Sequence, residues 1–459
     1  MKIELKVPKY IKKIQEKLLE NGYECYFVGG CIRDTLLGLK VNDYDISTNC
    51  DTITLKKLFS KYNIVNNNGE KHNTITLHIK GDNVEITTFK HNDEETPTIE
   101  VDLKHRDLTI NALAYSNEII DITGGIDDIN NKIIRANDPE LRIKEDPLRI
   151  LRVLRFASKL GFEIEKKTND AILKYKDLLK NVSAERIKHE LEEILEGKDV
   201  YKILEKYYDI IFVIIPELKC SYKFNQNNPY HENTLYEHII NVCRNIKINN
   251  NLEEFALLRM AALLHDIGKP NCFSIDVNGV GHFYGHPEES AIIATNILKR
   301  LKFSNSEISK IVYLIKFHDS IINLTKKSII KNFSHTPNQN EELFYMLLEL
   351  INADKLDHTK YELIDIEKVK NIINEIKEEK QCLKLSDLKV NGYDIIKLGY
   401  KGKKIGEVLD YLLDLVIDDK IKNERDSLMA MALNYRTLND KKDNPVKISE
   451  IDFVPLHKR

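Results

Sequence analysis

In the segment YFVGGCIRDTLLGLKVNDYDIST, residues 26–48, a Gly29-Gly30 pair is followed by two aspartates, Asp43 and Asp45, separated by a single residue. The missing side chains at Gly29 and Gly30 let backbone N–H groups approach phosphate oxygens, and a helix starting there turns its positive end to the same place. On a following strand, Asp43 and Asp45 project from one face while Tyr44 points away. Two hard oxygen ligands on one face suit Mg2+, which would bridge a triphosphate and activate a 3′-hydroxyl. Glu85, in Val84-Glu85-Ile86, is the candidate third carboxylate, with a plain solvent-facing glutamate as the alternative. Either the glycine pair or the Asp-x-Asp alone is more often a turn than a site; their order and spacing together carry the reading.

A second constellation lies in EDPLRILRVLRFASKLGFEIE, residues 145–165. Glu145, Asp146, Arg149 and Arg152 fall at i, i+1, i+4 and i+7, which on one helix makes one polar stripe, with Leu148, Leu151, Leu154 and Phe156 facing the core. Cytosine and adenine both present an exocyclic amine donor beside a ring-nitrogen acceptor, whereas uracil and guanine present a carbonyl beside a ring N–H. An accepting Asp146 beside a donating Arg149 therefore fits C and A only. The bland alternative is a salt-bridged surface helix.

Histidines form the third. Eight of the fourteen lie between residues 231 and 358. His238, the adjacent pair His265-Asp266, His286, His318 and Asp354 stand in separate segments, and imidazole with carboxylate suits a transition metal or Mg2+ with an open position for water. Lys269, close to the His-Asp pair in sequence, reads as a surface lysine.

The elements that must position these groups divide the chain. Up to about residue 135 the pattern is mixed α/β: a helix over 8–21 ending at Asn21-Gly22, a strand over 25–28, and a hairpin of 74–79 and 83–89 about Gly81-Asp82. From Pro139 onward a 3.6-residue periodicity prevails, and the remainder is expected to be all-helical. A length of 459 residues implies several domains, roughly 100–200 residues each. Seven scattered cysteines without a Cys-x-x-Cys pair read as reduced thiols. No signal peptide and no apolar run of roughly 20 residues is present, so a cytoplasmic protein without membrane partners is expected. A net charge of −3 excludes a globally basic nucleic-acid binder, but residues 142–188 hold thirteen Lys and Arg against seven Asp and Glu.

The first motif resembles that of the class II tRNA nucleotidyltransferase and bacterial poly(A) polymerase family, within the DNA polymerase beta superfamily. HRDLTINALAYS (105–116) resembles its ribose-recognition element, DITGGIDDINNKIIR (121–135) its Gly-Gly turn, residues 145–165 its base-selecting element, and SAERIKHELEEIL (183–195) its buttressing helix with Ser183 as N-cap. The resemblance implies an α/β polymerase beta-like head over 1–138, a helical neck over 139–220, a metal-binding HD domain over 221–365 and a tRNA-binding helical tail over 366–459. It implies catalysis by Asp43 and Asp45, joined by Glu85, and nucleotide contacts from Gly29, Gly30, Arg33, Asp34, Arg106, Asp107, Asn111, Glu145, Asp146, Arg149, Arg152 and Arg155. The histidine-rich stretch is similar to the HD phosphohydrolases, implying a divalent-metal site of His238, His265, Asp266 and Asp354, with His286 and His318 as further ligands or phosphate contacts. Lys397, Lys401, Lys403 and Lys404 offer a basic cluster for an RNA backbone. The implied activity is addition of CCA to tRNA 3′ ends from CTP and ATP. The linker 90–104 lacks the Arg-Arg-Pro-bearing loop that most full members carry, and His105 stands where an arginine is usual. CC-only addition is therefore one alternative, A or poly(A) addition another, and an HD phosphohydrolase with a nucleotide-binding N-terminal half a third.

Overall fold

The computed structural model describes residues 5–41, 43–65, 73–91, 96–229, 232–247, 254–359, 362–378, 385–418 and 420–439. The chain packs as two compact units, residues 1–308 and 309–459. In the first, seven strands form one sheet: β1 (Cys25–Val28), β2 (Tyr44–Thr48), β3 (Asn63–Val65), β4 (Thr74–Ile79), β5 (Asp82–Thr88), β6 (Leu113–Tyr115) and β7 (Ile119–Asp121), in the order β3-β4-β5-β2-β1-β6-β7. Every pairing is antiparallel except β2 with β5, which puts Asp45 opposite Glu85 on one side and Val28 on the other. The expected hairpin is β4–β5, its register running from Ile79↔Asp82 to Thr74↔Thr87.

Helix α1 (Lys9–Glu20) buries Ile11, Ile14 and Leu18, spaced three and four apart, and ends at Asn21. Helix α2 (Gly30–Leu36) leaves β1 at once, and α3 (Ile99–Lys104) occupies the end of the 90–104 linker, where the Thr98 hydroxyl accepts the N–H of Val101. Val28, Phe89, Ile99, Leu103, Ala112 and Ala114 form the apolar cluster behind β1 and β6. In the Gly-Gly turn, Asp121 accepts four backbone N–H groups, those of Thr123, Gly124, Gly125 and Ile126. A Cβ on Gly125 would lie 2.2 Å from the Thr109 carbonyl oxygen, so this turn packs directly under the Thr109–Asn111 segment that faces the site.

The neck departs from the sequence reading. Glu145 ends α4 (Pro139–Glu145), Asp146 is extended at φ −144°, ψ 98°, and α5 (Arg149–Leu160) begins afresh. Pro147 is the cause, because its ring disfavours the helical region for the residue before it. Glu145, Asp146, Arg149 and Arg152 thus belong to two helices and a corner, not to one continuous stripe. Leu148, Leu151, Leu154 and Phe156 are buried as expected. Helix α6 (Ala184–Leu195) packs on α5, with the Ser158 hydroxyl donating to the Ile194 carbonyl at 2.8 Å. Ser183 is at its N-cap position, but its hydroxyl makes no capping bond. The region beyond Pro139 is also not purely helical: Glu163–Ile164 pairs in parallel with Ile133–Ile134, and Ser274–Ile275 pairs with Gly281–His282.

Helices α7 (Leu235–Asn245), α8 (Phe255–Leu264) and α9 (His286–Arg300) complete the first unit. The second is helical where described, with a core that includes Phe333, Phe344, Ile373, Val408 and Leu412. Six of the cysteines are free thiols, Cys382 lying outside the described residues. Among the described residues, no helix is long and apolar enough to cross a membrane.

Candidate active site

A cavity of about 1280 Å³ opens in the first unit, and every transferase-site residue expected from the sequence lines it, Glu85 apart. Ten Lys and Arg side chains face seven Asp and Glu across its wall, so the cavity is net positive in a chain of charge −3 and is suited to a polyanion.

Its floor is the turn from β1 into α2. Gly29 has φ +76°, and a Cβ there would come within 3.4 Å of Arg106 Nη1 and 3.9 Å of Asp45 Oδ2. The glycine therefore supplies both the left-handed backbone and the room for two charged groups. Asp43 is exposed one residue ahead of β2, and Asp45 follows within it. Burial, then the neighbouring Glu85 and Asp43 carboxylates, push the Asp45 carboxyl up to about 6, against the pull of Arg106. A carboxylate cluster that crowded is relieved by a bound cation, so the donor set fits a divalent metal. Glu85 is exposed and in register with Asp45 rather than in the cavity wall.

Arginines are fixed around this floor. Arg33 donates to Asn111 Oδ1 at 2.6 Å and pairs with Asp34 at 2.8 Å. Arg106 is held by the fully buried Asp102 at 2.9 Å. Asp107 is buried, accepting from Arg152 Nε at 2.6 Å and from the Leu108 N–H at 2.9 Å. Burial alone would raise its pKa, but the Arg152 cation and these bonds outweigh that and hold it well below the usual carboxylate range. Arg152 and Arg155 also share the buried Glu190, at 3.7 and 3.3 Å.

The corner at Asp146 forms the far wall. Asp146 Oδ2 accepts from Arg186 at 2.7 Å, and Oδ1 from the Leu148 N–H at 3.2 Å. Arg149 pairs with Glu145 at 3.1 Å and donates to the carbonyls of Arg142 and His105 at 3.1 and 3.4 Å. His105 Nδ1 faces Arg142 Nη1 at 2.9 Å, so the wall keeps a guanidinium next to the position where the sequence has histidine. Sequence reasoning missed Arg142, Glu190 and the wall position of Arg186. Arg186 had a signal, since a charged first turn on a helix that packs on α5 is within reach of Asp146; Glu190 had none, because only tertiary packing buries it.

Elsewhere in the first unit, His238, His265 and His286 gather around Asp266. Their Nε2 atoms lie 3.3, 3.3 and 3.2 Å from its carboxylate, and the His238 and His265 Nε2 atoms are 3.3 Å apart. His265 and His286 direct Nδ1 to the carbonyls of Ala262 and Phe283 at 2.7 and 2.9 Å. A carbonyl only accepts, so Nδ1 carries the proton and the Nε2 lone pair faces the carboxylate. With neutral rings two acceptors face each other, an arrangement that a divalent metal between them relieves, so this donor set also fits a divalent metal. Lys269 is not on the surface: it is 6% exposed, with Nζ 2.6 Å from Asp266 and 3.1 Å from Gln226 Oε1. His318 and Asp354 belong to the second unit, His318 with Nδ1 on the Ile315 carbonyl at 2.7 Å and Asp354 3.7 Å from His358.

The chain is similar to known proteins over most of its length. Residues 25–135 match the model described as "Poly A polymerase head domain", 161–220 that described as "Probable RNA and SrmB- binding site of polymerase A", and 288–432 that described as "tRNA nucleotidyltransferase domain 2 putative". The CCA-adding enzyme of Bacillus pumilus is 30% identical over 432 residues, covering 90% of this chain and 94% of its own length. That of Lactobacillus helveticus is 29% identical over 90% of this chain and 94% of its own. In fold, the chain is similar to the Bacillus stearothermophilus CCA-adding enzyme in complex with CTP, with TM-score 0.66 and 22% identity over 95% of this chain and all of the other. It is similar also to the Thermotoga maritima CCA-adding enzyme complexed with tRNA_CCA, with TM-score 0.55 and 22% identity over 95% and 97%. Fold and family models define a nucleotidyltransferase with a polymerase beta-like head. Within that class, the chain belongs to the CCA-adding enzyme family of tRNA nucleotidyltransferases. Enzymes of this family depend on a divalent metal.

Proposed function

We propose that this chain extends the 3′ ends of tRNA with C, C and A, taking CTP and ATP without a nucleic-acid template and acting in the cytoplasm. The observation that supports it is that one cavity holds both the Asp43 and Asp45 carboxylates and the Asp146–Arg149 pair. In this reading Asp43 and Asp45, with Glu85 beside Asp45, would hold Mg2+, which would supply neutralisation of triphosphate charge and activation of the 3′-hydroxyl. Gly29, Gly30, Arg33 with Asp34, and Arg106 receive the triphosphate. Asp107, which holds Arg152, and Asn111, which accepts from Arg33, contact the sugar. Asp146 accepts the exocyclic amine and Arg149 donates to the ring nitrogen, with Glu145 orienting Arg149; uracil or guanine would leave these charged groups unpaired, which is where discrimination arises. We assign 1–138 as head, 139–220 as neck, 221–365 as the HD domain and 366–459 as the tail that binds tRNA through Lys397, Lys401, Lys403 and Lys404.

The test is incorporation into a tRNA lacking its CCA end. CTP alone is expected to give two added C, both nucleotides together CCA. Products that stop at CC with ATP present would identify the restricted enzyme, and an A-only product would overturn the assignment.

A second activity is favoured by the imidazole–carboxylate cluster at Asp266. We assign it to an HD-type site that binds a divalent metal through His238, His265 and Asp266, with His286 contributing, and that cleaves phosphate esters such as 2′,3′-cyclic phosphates. Bound metal is expected to fall on His265→Ala while nucleotide incorporation persists; unchanged metal content would remove the assignment.

A further inference from the structure

Phe156 has no role in the reading above, which treats it as a core residue of α5. Its ring is 7% exposed, but it also lines the cavity. Three guanidinium groups surround it: the Cζ atoms of Arg155, Arg33 and Arg152 lie 4.6, 4.9 and 6.0 Å from the ring centroid. They come from different elements, Arg33 from α2 and the other two from α5. Carboxylates restrain them at their edges, Asp34 for Arg33, Asp107 for Arg152 and Glu190 for Arg155. Three like charges around a mostly buried point repel one another, and an aliphatic side chain in the middle would leave that repulsion uncompensated. The electron-rich face of a phenyl ring attracts each of them and gives each planar guanidinium a surface to lie against.

We propose that Phe156 is a positioning residue for the nucleotide site: its ring holds Arg33 and Arg155 in place between the glycine turn and the neck, so that their charge is already ordered when a triphosphate enters. This rests on the transferase reading. It makes the ring, not merely the bulk, the functional feature, and it places the effect on the phosphate chain rather than on the base. Nothing in it requires a change of chemistry at the catalytic aspartates.

The experiment compares Phe156→Leu, which keeps apolar volume without a ring, with Phe156→Tyr, which keeps the ring. Steady-state incorporation from CTP is measured together with inhibition by inorganic tripolyphosphate, and thermal unfolding is followed in parallel. Phe156→Leu is expected to raise KM for CTP and the tripolyphosphate inhibition constant by a similar factor, about tenfold for the loss of desolvated cation–ring contacts, with a smaller change in kcat. Phe156→Tyr is expected to recover most of both. Folded Phe156→Leu with unaltered inhibition by tripolyphosphate, or Phe156→Tyr as impaired as Phe156→Leu, would overturn the positioning role while leaving the transferase reading intact. Absence of CTP incorporation by the unmutated protein would instead remove the reading on which it rests.

Discussion

Replacing Asp45 by asparagine should abolish nucleotide addition and at the same time stabilise the metal-free protein. Asp45 lies under Gly29 with Glu85 beside it in the sheet and Asp43 ahead of it, and its pKa rises from 3.8 to about 6. A rise of about two units corresponds to about 3 kcal/mol against the ionised form, an upper bound for the gain on removing the charge. Because the folded-state pKa is above the unfolded one, the folded protein binds the extra proton between roughly pH 4 and pH 6, so stability falls as pH rises through that window and the full penalty is present above it. Urea unfolding of the first unit in EDTA at pH 4.5 and pH 7.5, with the natural protein and Asp45→Asn side by side, reads this directly. The variant is expected to be more stable by about 1–3 kcal/mol at the higher pH and nearly equal at the lower. Adding a divalent cation should narrow the gap, because only the natural protein gains the stabilisation of binding at Asp45. A variant no more stable than its parent in EDTA at pH 7.5, or one that still adds nucleotide, would refute the carboxylate-crowding argument.

Three other outcomes follow from particular contacts. Gly125→Ala drives a methyl to 2.2 Å from the Thr109 carbonyl oxygen, which should cost about 3 kcal/mol in urea unfolding and lower activity through the Asn111 segment. Arg259 is 3% exposed and donates to the carbonyls of Leu195, Gly197 and Ile246 at 2.6, 2.6 and 3.0 Å. Arg259→Met strands two acceptors at the end of α6 and one at the end of α7 and should lower stability by about 3 kcal/mol. Lys397, Lys401, Lys403 and Lys404 are all exposed; changing them together to glutamine should flatten the salt dependence of tRNA binding by as much as about 3 in the log–log slope while leaving the base preference unaltered.

Much of the transferase site was legible in the sequence because its chemistry is local. Gly29-Gly30 before a helix, and Asp43 and Asp45 around one outward tyrosine, define a floor whatever else the chain does. The helix break at Asp146 was legible in principle: Pro147 carries it, but the i, i+4 spacing of Glu145 and Arg149 also satisfies a continuous helix, and the ion pair they make survives the break. What the sequence could not disclose depends on packing between distant segments. Glu190 is buried only because α6 lies against α5, and Lys269 reads as a surface lysine until its 2.6 Å contact with Asp266 is seen. Phe156 was assigned to the core from its spacing, which is correct, yet the three guanidiniums around it come partly from a helix more than a hundred residues earlier.

The central claim is that a carboxylate and a guanidinium of the protein stand where a complementary strand would stand in a templated polymerase. The most direct measurement is the relative incorporation of all four ribonucleoside triphosphates by the natural protein and by Asp146→Ala with Arg149→Ala, on the same tRNA lacking its CCA end. The natural protein should use CTP and ATP and exclude UTP and GTP, and the double variant should lose that preference while retaining residual transfer through Asp43 and Asp45. An undiminished preference for C and A in the double variant would contradict the account.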